Sequence, residues 1–275
     1  MNLLKKIMLS VLAFSLAASA NAQHALKRLW ETDTVLNIPE SVLPQKNVMY
    51  VSLIDGAPWG ADGNGGVAKI TRQGKPVDLN WITGLNAPKG LAVKGDWLYV
   101  ADLDELVVIS ISKNKVDHKI KIMGAAGLND VTIDKNGVVY VSDTQKACVF
   151  RVDHDTPTLF LGDLKGANGL KSVGDKLYIL TGDGMYVTDA SKKLTKICTL
   201  EHGGDGIEPI GNGDFIVTAW EGYIYYVHTA AKTKDLLLDT HATKSRTADI
   251  GYDPVTRIVY VPTFLAKSVT AYKLQ

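Results

Sequence analysis

Apolar and polar positions alternate along this chain over short runs, and no stretch sustains a helical period. Runs such as Val138–Ser142 and Ala147–Val152 are rich in Val, Ile, Tyr and Phe, with Gly, Asp and Asn between them. That is the signature of short strands joined by tight turns. A larger pattern organises the runs. A polar residue, a Gly or small residue, an apolar stretch, a turn and an apolar pair recur six times. The copies run from Glu40 to Tyr50-Val51, Lys89 to Tyr99-Val100 and Asn129 to Tyr140-Val141. They continue from Asn168 to Tyr178-Ile179, Asp205 to Ile216-Val217 and Asp249 to Tyr260-Val261. The polar start stands 10, 10, 11, 10, 11 and 11 residues before its pair, and successive starts lie 49, 40, 39, 37 and 44 apart.

A unit of about 42 residues has room for four short strands, and four-stranded units repeated radially make a β-propeller. A plain all-β sandwich would not need six matched units. The expected architecture is therefore all-β: a six-bladed β-propeller with four-stranded antiparallel blades, one domain over residues 23–275. The third unit reads as strands at Asn129–Ile133, Val138–Ser142, Ala147–Val152 and Thr158–Leu161. Strands near Arg28–Leu36 and Val269–Leu274 are expected to close the ring and protect its open edges.

Residues 1–22 stand outside the repeat. Lys5 and Lys6 precede the apolar run Ile7–Ala18, which is too short to span a bilayer, and Ala20-Asn21-Ala22 has the small-residue form of a cleavage site. This predicts a signal peptide and a mature chain exported to the periplasm or secreted. No Cys follows the run, so a lipid anchor is not expected, and no other stretch is long and apolar enough to span a membrane.

Composition narrows the function classes. Thirty Lys+Arg stand against 29 Asp+Glu, spread evenly, which leaves no basic stripe for a nucleic-acid backbone. Two cysteines exclude a disulfide framework and a four-cysteine zinc site. Cys148 and Cys198 fall at different positions of the repeat. Two free, buried thiols are expected, although an oxidising compartment permits a pair. The six histidines show no metalloprotease spacing, and there is no G-x-S-x-G elbow.

In a propeller the first strand of each blade lines the central axis, so its starting residues meet at one mouth. The six starts are Glu40, Lys89, Asn129, Asn168, Asp205 and Asp249, all polar or charged. Such groups crowded together need partners. Glu40, Asn129, Asn168 and Asp205 offer two carboxylates and two amide carbonyls. These hard oxygen donors suit Ca²⁺, with Mg²⁺ or Mn²⁺ open, and do not suit Zn²⁺. Lys89 is a cation at the same mouth. It can form an ion pair with Glu40 or Asp249, orient an anionic substrate, or replace the metal. The Gly-rich loop Ile54–Gly66 can act as a lid carrying Trp59 over the mouth. His202 lies near Asp205 as a proton shuttle or a solvated side chain. Trp220 and Phe264 read by default as blade packing, with lining of the channel's far side as the alternative.

Four short segments resemble the gluconolactonase and senescence-marker (regucalcin) family of six-bladed propellers, related to paraoxonase and diisopropylfluorophosphatase. They are Pro39-Glu40-Ser41, Leu128-Asn129-Asp130, Ala167-Asn168-Gly169-Leu170 and Gly204-Asp205-Gly206-Ile207. The resemblance implies a divalent cation, usually calcium, on Glu40, Asn168 and Asp205, with Asn129 on the metal or the substrate. It implies metal-assisted hydrolysis of a small lactone or ester, with Asp205 as the favoured carboxylate and Asp130 and Asp249 behind it. Asp249 departs from the esterase relatives, which carry a histidine in the sixth blade. A second resemblance, to repeats of the Asn-His-Leu type, rests on Pro88–Val93 and Leu98–Asp102. It implies a non-catalytic propeller that binds a protein or glycan. A monomer acting on a small-molecule substrate is the favoured expectation.

Overall fold

The computed structural model describes residues 24–275; the predicted signal peptide lies outside them. Twenty-four strands form six antiparallel four-stranded sheets. Blade one is β2 (Pro39–Pro44), β3 (Met49–Leu53), β4 (Gly65–Ile70) and β5 (Pro76–Leu85). Blade two is β6 (Pro88–Lys94), β7 (Trp97–Asp102), β8 (Glu105–Ser110) and β9 (Lys115–Lys121). Blade three is β10 (Leu128–Ile133), β11 (Val139–Asp143), β12 (Cys148–Asp153) and β13 (Thr156–Leu161). Blade four is β14 (Leu170–Val173), β15 (Lys176–Leu180), β16 (Gly184–Thr188) and β17 (Thr195–Thr199). Blade five is β18 (Ile207–Pro209), β19 (Phe215–Ala219), β20 (Tyr223–His228) and β21 (Thr233–Asp239). The third blade falls within two residues of its expected boundaries.

Blade six closes the ring. Its inner strands are β22 (Gly251–Asp253), β23 (Ile258–Pro262) and β24 (Val269–Leu274), and its outer strand is β1 (Leu26–Glu31) from the other end of the chain. β1 pairs antiparallel with β24 from Leu26 opposite Leu274 to Glu31 opposite Thr270. The closing strand thus sits a few residues earlier than the expected Arg28–Leu36. Leu36 instead packs, fully buried, into the core between blades six and one.

The apolar core is divided among the blade interfaces. Six clusters each join residues of two neighbouring blades, one per interface. At matching places around the axis, six residues each enter a different cluster: Val42, Leu91, Val131, Leu170, Ile207 and Ile250. The six inner strands also touch one another in sequence around the axis. Outer strands such as β9 alternate exposed and half-buried positions, as a solvated edge requires. Cys148 and Cys198 are buried and unpaired, in different clusters.

Strand pairing fixes which residues face the mouth. The residue two places after each start pairs with the second member of the apolar pair. Val42 faces Val51, Leu91 faces Val100, Val131 faces Val141, Leu170 faces Ile179 and Ile207 faces Val217. In blade six Gly251 faces Tyr260, which sets Ile250 across from Val261. The start position there is Ala248, not Asp249. Backbone bonds agree: Ala248 N donates to Pro262 O (3.2 Å), as Asp205 N does to Thr218 O (2.7 Å) and Asn168 N to Leu180 O (3.0 Å). Asp249 therefore belongs one residue deeper, level with Ser41, Gly90, Asp130, Gly169 and Gly206.

Candidate functional site at the propeller mouth

The register is irregular at the start of the inner strands, between Pro39 and Val42, Pro88 and Leu91, and Leu128 and Val131. Such a bulge re-aims two consecutive side chains. The upper position gives the mouth: Glu40, Lys89, Asn129, Asn168 and Asp205 line one cavity of about 390 Å³, with Thr144, Pro58, Trp59, Trp220 and Phe264 completing its wall. The lower position gives a second layer. Three of its six residues are glycine because the neighbouring inner strand leaves no room. A Cβ on Gly206 would stand 2.4 Å from Ile250 N and 2.9 Å from Asp249 Cα, and one on Gly90 would stand 2.5 Å from Asp130 Cα. Asp130 and Asp249 occupy the space their neighbours vacate.

At the mouth Glu40, Lys89, Asn129 and Asp205 are almost wholly buried. Asn129 Nδ2 donates to Thr144 Oγ1 (2.9 Å), whose hydroxyl donates to Ala167 O (2.7 Å). This chain of donors fixes the amide and leaves Asn129 Oδ1 as its free acceptor. The Asn168 side chain lies beside Asp205 and favours its ionised form, and Asn168 Oδ1 is buried with no partner. Glu40 Oε2 is likewise buried and unpartnered. Burial pushes the Glu40 carboxyl well above its usual range, against the pull of Lys89 and with the push of Asp205 and Asp249. Burial also lifts Asp205 to about 7, against the lowering effects of Asn168 and Lys89. Lys89 is lowered by burial and held up by Glu40, Asp205 and Asp102. Among the described residues it makes no ion pair, and its Nζ lies over the Trp59 ring, 4.4 Å from the centroid.

Asp130 and Asp249 are separated from this cavity, in correction of the mouth position expected for both. They line a small space of about 20 Å³ on the axis with Ser41, Lys171 and Glu208. Ser41 Oγ donates to Asp249 Oδ2 (2.5 Å), Leu170 N to Asp130 Oδ2 (2.5 Å), and Lys171 Nζ to Glu208 Oε1 (2.8 Å). Burial raises Asp249 to about 8 and Asp130 well above its usual range. His202 does not line the mouth cavity. Its Nδ1 meets Glu221 Oε2 at 2.9 Å and its ring stacks on Tyr223, 4.0 Å between centroids.

The wall holds residues that sequence reasoning assigned elsewhere. Trp220 and Phe264 line the mouth rather than serving only as blade packing. Each tryptophan rides on a tight turn. Gly60 N donates to Ala57 O (2.9 Å) around Pro58-Trp59, and Gly222 N donates to Ala219 O (3.0 Å) around Trp220-Glu221. Proline in the second place and glycine in the fourth suit the first of these turns. Two aspartates, Asp102 and Asp143, anchor the segments that lead into the mouth. Asp102 accepts Asn86 N (3.0 Å) and Ala87 N (2.8 Å), and Asp143 accepts Ala126 N (2.8 Å) and Gly127 N (3.2 Å). Their recurrence three residues after Tyr99 and Tyr140 was the available signal.

The donor set fits a hard cation in chemistry: two carboxylates, two amide oxygens, and two of these oxygens orphaned by burial. Among the described residues no three His, Cys, Asp or Glu side chains form a metal cluster, so any such site depends on the two asparagines.

No protein-family model matches the chain, and no curated protein does. Solved structures match over 92% of it. One is a catalytically inactive virginiamycin B lyase from Staphylococcus aureus with quinupristin, at 15% identity, TM-score 0.64 and 100% of that chain covered. Another is a Bacteroides thetaiotaomicron protein of unknown function, at 13% identity, TM-score 0.67 and 76% covered. A third is a candidate gluconolactonase, at 15% identity, TM-score 0.63 and 93% covered. At this identity the likeness carries the six-bladed propeller, and the neighbours include the kind of protein that the short motifs resemble.

Proposed function

We propose that the protein is an exported hydrolase of a small lactone or ester, using a divalent cation, Ca²⁺ by donor chemistry, at the propeller mouth. One observation carries this reading. Glu40 Oε2 and Asn168 Oδ1 are buried acceptors without partners, in one cavity with Asp205 and Asn129. A buried oxygen with no partner is costly, and a cation satisfies several at once. Glu40, Asn129, Asn168 and Asp205 would hold the ion. Bound there, it would polarise a carbonyl oxygen and acidify a coordinated water. Asp205 takes the role of proton acceptor from the attacking water. Asn168 stands beside Asp205 and favours its ionised form. Asn129, turned by Thr144, presents its carbonyl oxygen inward. Lys89 adds a fixed positive charge beside the developing oxyanion. The candidate gluconolactonase among the solved neighbours supports this reading by fold.

The test is metal content and thermal unfolding of the mature protein with and without chelator, beside Asn168→Leu and Asp205→Asn, followed by a lactone panel. An ion present at a thousand times its Kd stabilises the fold by about 4 kcal/mol, because it binds only the folded state. One calcium per chain, lost on chelation and in either variant, supports the site. No metal and no response to chelator would refute it. Lys89 would then fill the mouth of a binding propeller.

A further inference from the structure

The mouth has two unlike halves. Its floor is polar. Its wall is carbon: Pro58, Trp59, Trp220 and Phe264. Trp59 and Trp220 are 40% and 39% exposed in a cavity whose floor is almost wholly buried. Exposed indole rings at a concave site mark a place where a ligand supplies the missing contact.

The wall is built with care. Phe264 adopts a left-handed backbone, φ 53°, which bulky residues avoid. Thr263 and Ser268 brace that turn: Ser268 N donates to Thr263 Oγ1 (3.0 Å), and Thr263 Oγ1 donates to Ser268 O (2.8 Å). The conformation places the Phe264 ring edge-on to Trp220, with centroids 5.5 Å apart and planes 85° apart. Strain of this kind persists where the surroundings hold a side chain in one useful place.

The protein's own cations already occupy one face of each tryptophan. Lys89 Nζ lies 4.4 Å from the Trp59 centroid and the Arg246 guanidinium carbon 4.8 Å from that of Trp220. The wall is therefore no cage for a cationic ligand. The polar groups sit at the floor: Lys89 Nζ lies against Trp59, one N–H of Asn129 serves Thr144 and the Thr144 hydroxyl serves Ala167 O, while the wall residues add only two indole N–H groups. A polyhydroxylated ligand would find few partners above the floor.

We infer that Trp59, Trp220 and Phe264 form an apolar subsite for the body of the substrate. The substrate class is then a neutral lactone or ester with a flat aryl or other apolar body, rather than a sugar lactone. This rests on the hydrolase reading, and the experiment separates the two. Lactams imitate lactones and resist hydrolysis, so they report binding without turnover. Binding of a benzo-fused δ-lactam and of a sugar δ-lactam is measured by tryptophan fluorescence and calorimetry, on the wild type, Trp59→Ala and Trp220→Ala. Turnover of the matching lactones is measured in parallel, and calcium content is checked in every variant.

The aryl lactam is expected to bind at least about tenfold tighter than the sugar lactam. Each Trp→Ala change should weaken it about tenfold, with calcium content and sugar-lactam binding unchanged. Turnover of the aryl lactone should lose through KM more than through kcat. Aryl binding without any turnover would uphold the subsite and sink the hydrolase reading. Turnover with equal or reversed preference, or with no effect of either tryptophan, would overturn the subsite alone.

Discussion

Replacing Asp102 by alanine tests how the fold sets the mouth. Asp102 is fully buried at the end of β7 and accepts the N–H groups of Asn86 and Ala87, just before Lys89. Ala87 is fully buried, so its N–H has no route to water once the carboxylate is gone. An orphaned buried donor costs about 1 to 3 kcal/mol, and the half-buried Asn86 N–H less. Removing a carboxylate that burial has strained returns part of this. Burial raises the Asp102 pKa despite the two backbone bonds. The net expectation is a loss of about 2 to 3 kcal/mol, or roughly 4 to 12 °C in Tm for a chain of this size. The pH dependence has a definite sign. A carboxyl raised in the folded state holds its proton there while the unfolded chain releases it. Its contribution is greatest below the unfolded value and falls as pH rises through the folded value. Asp102→Ala should therefore cost more at pH 4 than at pH 8. Urea titrations at both pH values measure this. A loss below about 0.5 kcal/mol at both, or a larger loss at pH 8, would refute the assignment of Asp102 as the anchor of this segment.

Asp249, lifted by burial to about 8, should also lower stability as pH climbs from about 4 through 8. In chelated protein Asp249→Asn is expected to be more favourable relative to wild type at pH 9 than at pH 5, and equal differences would count against it. Gly206→Ala sets a Cβ 2.4 Å from Ile250 N, where only backbone is available to move. It should cost at least about 2 kcal/mol by denaturant titration, while Gly162→Ala, with open space around it, should change stability by less than about 1 kcal/mol. Cys148, buried and pushed up to about 11, and the buried Cys198 should resist iodoacetamide at pH 8 until urea unfolds the protein. Rapid labelling of the native state would contradict their placement. Deleting residues 24–31 removes β1 and bares the edge of β24. The variant should associate on size exclusion and unfold at lower urea, whereas an unchanged monomer would show the closing strand to be dispensable.

The six-fold repeat was legible because pairing enforces it. A motif residue can reach its partner across a hairpin only at a near-constant spacing, so the spacing survives even where residue types drift. Blade six shows the limit. Its Ala248-Asp249-Ile250-Gly251 offers a polar residue near the right place, and only the pairing of Gly251 with Tyr260 reveals that Ala248 holds the start position. A slip of one residue exchanges the mouth for the axis. Trp220 and Phe264 escaped for another reason. Both sit in turns, where side-chain direction follows local dihedrals such as the φ of 53° at Phe264 rather than any period. Trp59 was placed because its loop was visibly long and glycine-rich.

The bulged start of the inner strand explains how one repeat carries both stability and chemistry. In each blade the residue two places past the mouth position, from Val42 to Ile250, goes to one of the six interface clusters. The two residues before it carry no share of those clusters, so charges can vary there while the blades stay packed. The mouth and the second layer are therefore free to differ: an open cavity with orphaned oxygens above, and a closed set below in which Ser41, Leu170 and Lys171 serve the carboxylates. That contrast argues for the mouth as the place where the molecule meets a ligand. The lower layer has already found its partners within the chain, and the upper layer has not.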